Sequence, residues 1–150
     1  MTEPVTTLSE DLFSQLQKES FVLLHTTDVD SSSPTSSAIS WVYAPNDSTL
    51  RFAIDGRSRL SANMSAHAGV SVTVFAPGTV QTIYGRAKLV TDALQDVPFK
   101  LVCYDIEIDV VRDAMFYGAR LSTLPQYEKT YDKRAAEKLD GQVFAAMKKA

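Results

Sequence analysis

A short run of basic and polar residues in the middle of the chain has the composition of an anion-binding turn. It lies in the stretch RFAIDGRSRLSANMSAHAGVSV, residues 51–72, and its basic part is Arg57-Ser58-Arg59. Ser58 is a good N-cap for the amphipathic helix that the next residues predict. A helix N-terminus offers unpaired N–H donors and a partial positive charge, and guanidinium groups match phosphate oxygens. Residues 56–59, here called the arginine turn, therefore have the chemistry of a phosphate-binding site, where Gly56 allows close backbone approach.

The arginine turn also has a purely structural interpretation. In that case Ser58 caps the helix, and Arg57 and Arg59 are solvated side chains beside the cap. Taken in isolation, such a turn is more often structural, so its residue types alone leave both interpretations open.

The other reactive or metal-binding side chains form no recognisable site. Cys103 lies in the apolar run FKLVCY, which favours a buried small hydrophobe over a reactive thiol. His25 and His67 lack the spacing of a metal site, so no metal ligand is predicted. His67 is interpreted as a helix-end residue, because no carboxylate or serine is placed to form a triad with it. No catalytic acid or base is named.

Length, charge and cysteine content limit the class of protein. The 150 residues are expected to form one domain, 1–150, of ordinary globular composition, with 45% hydrophobic and 22% charged residues. The formal net charge of −3 argues against a nucleic-acid-binding surface. No apolar run approaches the roughly 18 residues that span a bilayer, and the polar N-terminus MTEPVTTLSED does not resemble a targeting peptide. A single cysteine makes the reducing cytoplasm the expected location.

The hydrophobic pattern predicts a mainly β fold. The predicted strands are 21–28, 35–44, 50–54, 70–75, 79–91 and 99–111. Most of the connections between them are short, which favours antiparallel pairing, and closing the sheet would remove exposed edges. The expected fold is a six-stranded antiparallel β-barrel with peripheral helices.

Helical spacing predicts three helices around this barrel. They cover 8–19, 58–68 and a C-terminal tail over about 124–149. Thr7 and Glu10 have capping-box spacing at the start of the first helix. Pro125 fits the first turn of the tail, and Gly141 is expected to interrupt it.

Three segments carry a resemblance to a known family. They are the meander SSAISWVYAPNDSTLRFAI, the turn and helix SRLSANMSAHAGVSV and the strand TIYGRAKLVTD. In this order and spacing they resemble the FMN-binding split-barrel family, the pyridoxamine 5′-phosphate oxidase-like proteins. Members typically have a Ser-Arg-Lys turn, an Asn or similar residue on the following helix, and a later Gly-[Arg/Lys]-Ala. Here Ser58 and Arg59 match the turn, Asn63 matches the helix position, and residues 85–87 match the later motif.

The resemblance implies FMN as the cofactor and a homodimer with FMN at its interface. The residues that it assigns to the FMN phosphate are Arg57, Ser58, Arg59 and Asn63. Those that it assigns to the wall of the isoalloxazine ring are Ile39, Ser40, Trp41, Ala53, Ile54 and Asp55. Gln81 is a further candidate for a contact with the ring. Flavin chemistry needs no catalytic acid or base from the protein, and NADH or NADPH is a candidate electron donor.

Departures from the family pattern leave alternatives open. The family's phosphate lysine corresponds to Leu60, so one charge is missing unless Arg57 replaces it. The oxidases proper carry a C-terminal Trp, whereas the only tryptophan here is Trp41, which as a lone strand residue is more often core or interface. FMN-dependent redox of a small molecule, other than pyridoxamine phosphate oxidation, is the leading interpretation. The alternatives are a flavin or deazaflavin carrier or stress-response protein without turnover, a haem-binding split barrel and a barrel without a ligand.

Overall fold

The computed structural model describes residues 3–150, so the first two residues of the predicted domain lie outside the described range. Over the described residues the chain forms seven strands and three α-helices. In chain order the elements are α1 (Glu10–Gln15), β1 (Val22–Thr27), β2 (Pro34–Ile39), β3 (Val42–Asn46), β4 (Thr49–Asp55), α2 (Arg59–Ala66), β5 (Gly69–Ala76), β6 (Thr79–Thr91), β7 (Leu101–Asp113) and α3 (Lys133–Lys149). The mainly β class agrees with the prediction from the sequence.

All of these strands form one antiparallel sheet with the order β2-β1-β5-β6-β7-β4-β3. The two edge strands, β2 and β3, are consecutive in the chain, and only Ser40 and Trp41 separate them. The sheet must therefore curl until its edges approach each other at this point. Within residues 3–150 no ladder joins β2 to β3, so the sheet is a barrel split along this seam.

The structure has one more strand than predicted, because the predicted strand 35–44 divides in two. β2 pairs with β1, whereas β3 pairs with β4 at the opposite end of the sheet. The apolar pattern continues across Ser40 and Trp41, so the sequence carries no signal for the break.

The main hydrophobic core lies inside the curled sheet. Alternate residues of β4 and β5 point into it, namely Leu50, Phe52, Ile54, Val70, Val72 and Val74. Leu12 of α1 and both Leu60 and Met64 of α2 complete this core, as their helical spacing predicts. Each such side chain contributes about 1.5–3 kcal/mol when buried, so the packing fixes α2, and with it the arginine turn, at the end of β4.

A second apolar layer lies on the outer side of the sheet, under α3. Val143 and Met147 of this helix are buried together with Ala53, Leu101 and Cys103 of β4 and β7. This packing explains why α3 runs through Gly141 without the predicted interruption, since the burial outweighs the roughly 1 kcal/mol that glycine costs a helix.

The boundaries of the terminal helices differ from the predicted ones. α3 begins after its N-cap Asp132, so residues 124–132 are not helical and Pro125 lies outside the helix. α1 is capped by Ser9, whose Oγ accepts the N–H of Leu12 at 3.2 Å, rather than by a Thr7–Glu10 box. None of the helices over residues 3–150 combines the length and the apolar character that a membrane crossing requires.

Candidate functional site

The arginine turn joins β4 to α2 and is held by backbone hydrogen bonds. The amide of Gly56 donates to the carbonyl of Lys100 at 3.1 Å, and the amide of Ser58 donates to the carbonyl of Asp55 at 3.0 Å. A side chain at position 56 would come within 3.0 Å of the Lys100 side chain, so glycine permits this close approach. The Oγ of Ser58 accepts the N–H of Leu60 at 3.2 Å, which makes Ser58 the predicted N-cap of α2.

Both guanidinium groups of the arginine turn have carboxylate partners. Arg57 donates to the two oxygens of Asp55 at 3.1 and 3.2 Å, and these bonds lower the pKa of Asp55. Arg59 donates to Asp28 at 3.0 Å and to Asp30 at 3.3 Å. The two arginines and three aspartates carry a net formal charge of −1. An incoming phosphate would therefore compete with these carboxylates.

The ion pairs at the arginine turn lie in solvent. The side chains of Arg57 and Arg59 are 92% and 71% exposed, and exposed pairs contribute only about 0–1 kcal/mol each. A phosphate dianion that also accepts hydrogen bonds from the first N–H groups of α2 can displace the aspartates from these ion pairs. The residues of the arginine turn thus fit a phosphate group, provided that the ion pairs open.

Asn63 lies one turn into α2, and both polar atoms of its side-chain amide make hydrogen bonds. It is 2% exposed. Its Nδ2 donates to the Oγ1 of Thr26, and its Oδ1 accepts the N–H of Val29, both at 3.0 Å. These bonds attach α2 to the end of β1 and to the turn that follows, so a contact between Asn63 and a phosphate would have to replace one of them.

The residues predicted to line a flavin ring lie on different sides of the sheet. Ile39 and Ile54 pack against the inner core, whereas Ala53 lies under α3 on the outer side. The amide of Ala53 donates to the carbonyl of Trp41 at 3.0 Å and is therefore used within the sheet. Ala53 and Ile54 are buried, whereas the other four members of the predicted ring wall are partly exposed. Their contact with a flavin ring stays a prediction.

A polar network, here called the seam network, covers the seam between β2 and β3. Its donors to the carboxylate of Glu19 are Ser40 Oγ at 3.2 Å, the Tyr127 hydroxyl at 2.7 Å and Lys129 Nζ at 3.0 Å. Asp140 of α3 accepts from Trp41 Nε1 at 2.8 Å and from Lys129 Nζ at 3.4 Å. The side-chain polar atoms of Ser40 and Trp41, two predicted ring residues, are thus engaged with Glu19 and Asp140.

The protonation states in the seam network follow from its charges. Burial acts to lower the pKa of Lys129, but the hydrogen bond and charge of Glu19 and the charge of Asp140 outweigh it, so the pKa is raised. Burial and the same Glu19 raise the pKa of Tyr127. Lys129 is therefore cationic and Tyr127 a neutral donor at neutral pH. Sequence reasoning missed Glu19, Lys129 and Asp140, because no local spacing relates residues so far apart in the chain.

Gln81 lies away from the arginine turn. It pairs with Val74 near the end of β5, whereas Gly69, three residues after α2, pairs with Arg86. The five residue steps along β5 between these pairs span about 17 Å. The structure therefore does not bring Gln81 together with the arginine turn.

Arg51 is a partly buried charge that sequence reasoning also missed. It donates to both oxygens of Asp105 on β7 at 2.7 and 3.0 Å, and this hydrogen bonding raises the pKa of Arg51. It also donates to the carbonyls of Met147 at 3.0 Å and Ala150 at 2.9 Å. Arg51 thereby fixes the end of α3 over the outer face of β4.

The histidines and the cysteine form no reactive centre. The two ring nitrogens of His25 lie 3.0 Å from Ser36 Oγ and 2.7 Å from Thr73 Oγ1, so iron ligation would require loss of one of these contacts. His67 is the C-cap of α2. Burial raises the pKa of the Cys103 thiol to about 11, which keeps it protonated. Over residues 3–150 no cluster of metal-binding side chains occurs.

Solved structures share this architecture at low sequence identity. A Lactobacillus delbrueckii protein provisionally assigned as a pyridoxamine 5′-phosphate oxidase aligns with a TM-score of 0.62 and 18% identity over 72% of this chain and 95% of that chain. An F420 reductase aligns with a TM-score of 0.58 and 18% identity over 70% and 98% of the two chains. General Stress Protein 26 of Bacillus anthracis aligns with a TM-score of 0.57 and 16% identity over 69% and 91%.

No protein-family model matches the sequence, and no curated protein does. The structural likenesses are below 25% identity and concern the fold. The seven-stranded split sheet and its three helices, over the residues that the structure describes, have the split-barrel fold of the pyridoxamine 5′-phosphate oxidase-like proteins.

Proposed function

We propose that the protein binds FMN and takes part in the redox chemistry of a small molecule other than pyridoxamine 5′-phosphate. The fold that it shares with a provisionally assigned pyridoxamine 5′-phosphate oxidase and with an F420 reductase supports a flavin or deazaflavin ligand. The observation that carries the proposal is the pair of exposed guanidinium groups, Arg57 and Arg59, beside the N-terminus of α2.

In this proposal the arginine turn holds the phosphate group. Arg57 and Arg59 leave their aspartates and donate to the phosphate oxygens, while Ser58 continues to cap α2. Leu60 cannot supply the lysine that the family pattern has at this position. FMN, when bound, supplies hydride or electron transfer. The ring is proposed to lie against the members of the predicted wall that stay partly exposed, and no catalytic acid or base is named.

The proposal includes a homodimer with the cofactor at its interface and NADH or NADPH as the electron donor. The side chains of Phe116 and Tyr117 are 72% and 103% exposed, and exposed aromatic groups are candidates for a contact between subunits. A reducing cytoplasm suits a chain whose single cysteine, Cys103, is buried and free.

Reconstitution tests the proposal. The purified protein is mixed with FMN, desalted and examined by absorption spectroscopy, and the oxidation of NADH and NADPH by the loaded protein is then compared with that by free FMN. We expect flavin bands to remain after desalting and nicotinamide oxidation to be faster than with free FMN. A Soret band in the isolated protein would favour haem, and a colourless protein after reconstitution would contradict FMN binding.

A second candidate is flavin or deazaflavin binding without turnover. Leu60 in place of the family's phosphate lysine, together with the lack of any residue assigned to a substrate, favours it. The similar fold of General Stress Protein 26 also supports a stress-response role. Retained flavin without any acceleration of nicotinamide oxidation would select this candidate.

A further inference from the structure

A half-open cleft of about 790 Å³ lies at the end of the sheet away from α2. Its walls come from α1, the start of β1, the turn between β5 and β6, and residues 124–127. This volume is within the range of small-molecule sites, about 300–1,000 Å³. The cleft is separate from the arginine turn, because β5 runs from Gly69, close to α2, to Ala76 in the cleft, seven residue steps or about 23 Å.

Three aromatic rings form one wall of the cleft. Phe21 lies between Phe75, with ring centroids 6.2 Å apart, and Tyr127, with centroids 5.5 Å apart. These separations are in the range of favourable ring–ring contacts, about 4.5–7 Å. The row of rings offers an apolar surface against which a flat aromatic molecule can stack.

The aromatic wall is fixed without a ligand. The Nε2 of Gln15 donates to the carbonyl of Phe75 at 2.8 Å, and the Tyr127 hydroxyl donates to Glu19 at 2.7 Å. A ligand that enters the cleft therefore meets side chains already in place, which reduces the entropy cost of binding.

Several polar side chains of the cleft have no side-chain partner over residues 3–150, among them Lys18 and Gln81. Neither Lys18 nor Gln81 makes a side-chain hydrogen bond or an ion pair there, and both line the cleft. Lys18 suits an anionic group, and the Gln81 amide suits a ring nitrogen or a carbonyl. The other charges that line the cleft are Glu19, which is paired with Lys129, and Asp11, which lies on α1 and has no ion pair over residues 3–150. Lys18 lies beyond the end of α1.

We propose that this cleft binds a planar aromatic acid, stacked on Phe75 and Phe21 with its acidic group toward Lys18. This site is independent of the arginine turn and does not depend on flavin binding.

Titration of the full-length protein with anilinonaphthalene sulfonate, an aromatic sulfonate whose fluorescence rises in apolar sites, tests the proposal. We expect saturable binding with one site per chain. Lys18→Glu is expected to raise the Kd about five-fold by reversing a nearby charge, whereas the exposed Lys88→Glu leaves it unchanged. Phe75→Ala is expected to raise the Kd about ten-fold, whereas Phe99→Ala, outside the cleft, leaves it unchanged. Gln81→Ala, a milder variant, should weaken binding if Phe75→Ala fails to fold.

Three results would overturn the proposal. Equal Kd values for the cleft variants and their controls would remove the cleft as the site. Loss of binding as the protein concentration rises would show that a second copy covers the cleft. If FMN displaces the probe from the wild type and equally from Arg59→Ala, the flavin itself binds in the cleft.

Discussion

The indole Nε1 of Trp41 donates a hydrogen bond to the carboxylate of Asp140 at 2.8 Å, across 99 positions of sequence. This bond joins the seam between β2 and β3 to α3. Lys129 lies 3.4 Å from the same carboxylate and 3.0 Å from Glu19. No strand ladder joins β2 to β3 over residues 3–150. Instead, side-chain hydrogen bonds and ion pairs of Glu19, Lys129 and Asp140 bridge the seam.

Asp140→Ala is expected to lower the free energy of unfolding by about 1–3 kcal/mol, because it leaves Trp41 Nε1 and Lys129 without this acceptor. Trp41 is the only tryptophan, so its fluorescence reports on the seam directly in a urea titration. Asp109→Ala, which removes an exposed carboxylate paired with Arg86, should stay within about 0.5 kcal/mol of the wild type. Equal stability of the two variants would contradict the role of the seam network.

Asn63→Ala is expected to cost about 2 kcal/mol, because it leaves the amide of Val29 and the hydroxyl of Thr26 without their partner. Ser61 on the same helix provides a control, since its Oγ is buried with no hydrogen-bond partner over residues 3–150. Ser61→Ala should therefore be neutral or slightly stabilising. Chemical denaturation of both variants measures the difference, and a larger loss for Ser61→Ala than for Asn63→Ala would contradict the assignment.

Two glycines should respond in opposite directions to alanine. A Cβ at Gly85 would lie 2.3 Å from the carbonyl oxygen of Glu107, whereas one at Gly141 meets nothing within 4 Å. Gly85→Ala should therefore destabilise the sheet by about 2 kcal/mol or more, and Gly141→Ala should stabilise α3 by about 0.8–1 kcal/mol. Thermal unfolding checks both, and a stable Gly85→Ala variant would argue against the register between β6 and β7.

Asp28 should stabilise the folded state at neutral pH, and this contribution should be lost at acid pH. Hydrogen bonds from Ser31 lower the pKa of Asp28 below the ordinary value of an aspartate. A carboxyl with a lowered pKa in the folded state adds stability that is fully present above its unfolded pKa, about 3.9, and that is lost as the pH falls through the folded value. Asp28→Asn should thus lower the urea midpoint at pH 6, and the difference from the wild type should shrink toward pH 2.5. Asp47→Asn, whose side chain makes no hydrogen bond or ion pair over residues 3–150, is the control for the loss of an exposed carboxylate.

Local patterns predicted the parts of the fold that local physics determines. The alternation in VSVTVF predicted β5 and its inward-facing valines, and the spacing around Ser58 predicted the cap and the buried face of α2. The start of α3 also carries a readable signal, because Asp132 is a good N-cap, but the predicted tail begins at about residue 124. The break at Ser40 and Trp41 carried none, since it depends on which strands β2 and β3 pair with.

The candidate site was less predictable than the fold. The pairing of Arg57 with Asp55, two residues earlier, could have been expected from the sequence. The pairing of Arg59 with Asp28 and Asp30 could not, because it depends on the packing of α2 against the turn after β1. The burial of Ala53 under α3 is likewise a tertiary effect.

The comparison of FMN with riboflavin tests the central claim most directly, because only FMN carries the phosphate that the arginine turn is proposed to hold. Quenching of flavin fluorescence gives both dissociation constants for the wild type, for Arg59→Ala and for Arg86→Ala, a control arginine that is also exposed and ion-paired. Arg59→Ala should weaken FMN binding by about ten-fold or more, as expected for loss of a charged hydrogen bond, while riboflavin binding and both affinities of Arg86→Ala stay within about two-fold of the wild type. Equal weakening of FMN and riboflavin by Arg59→Ala, or no FMN binding by the wild type, would contradict a phosphate site at the arginine turn.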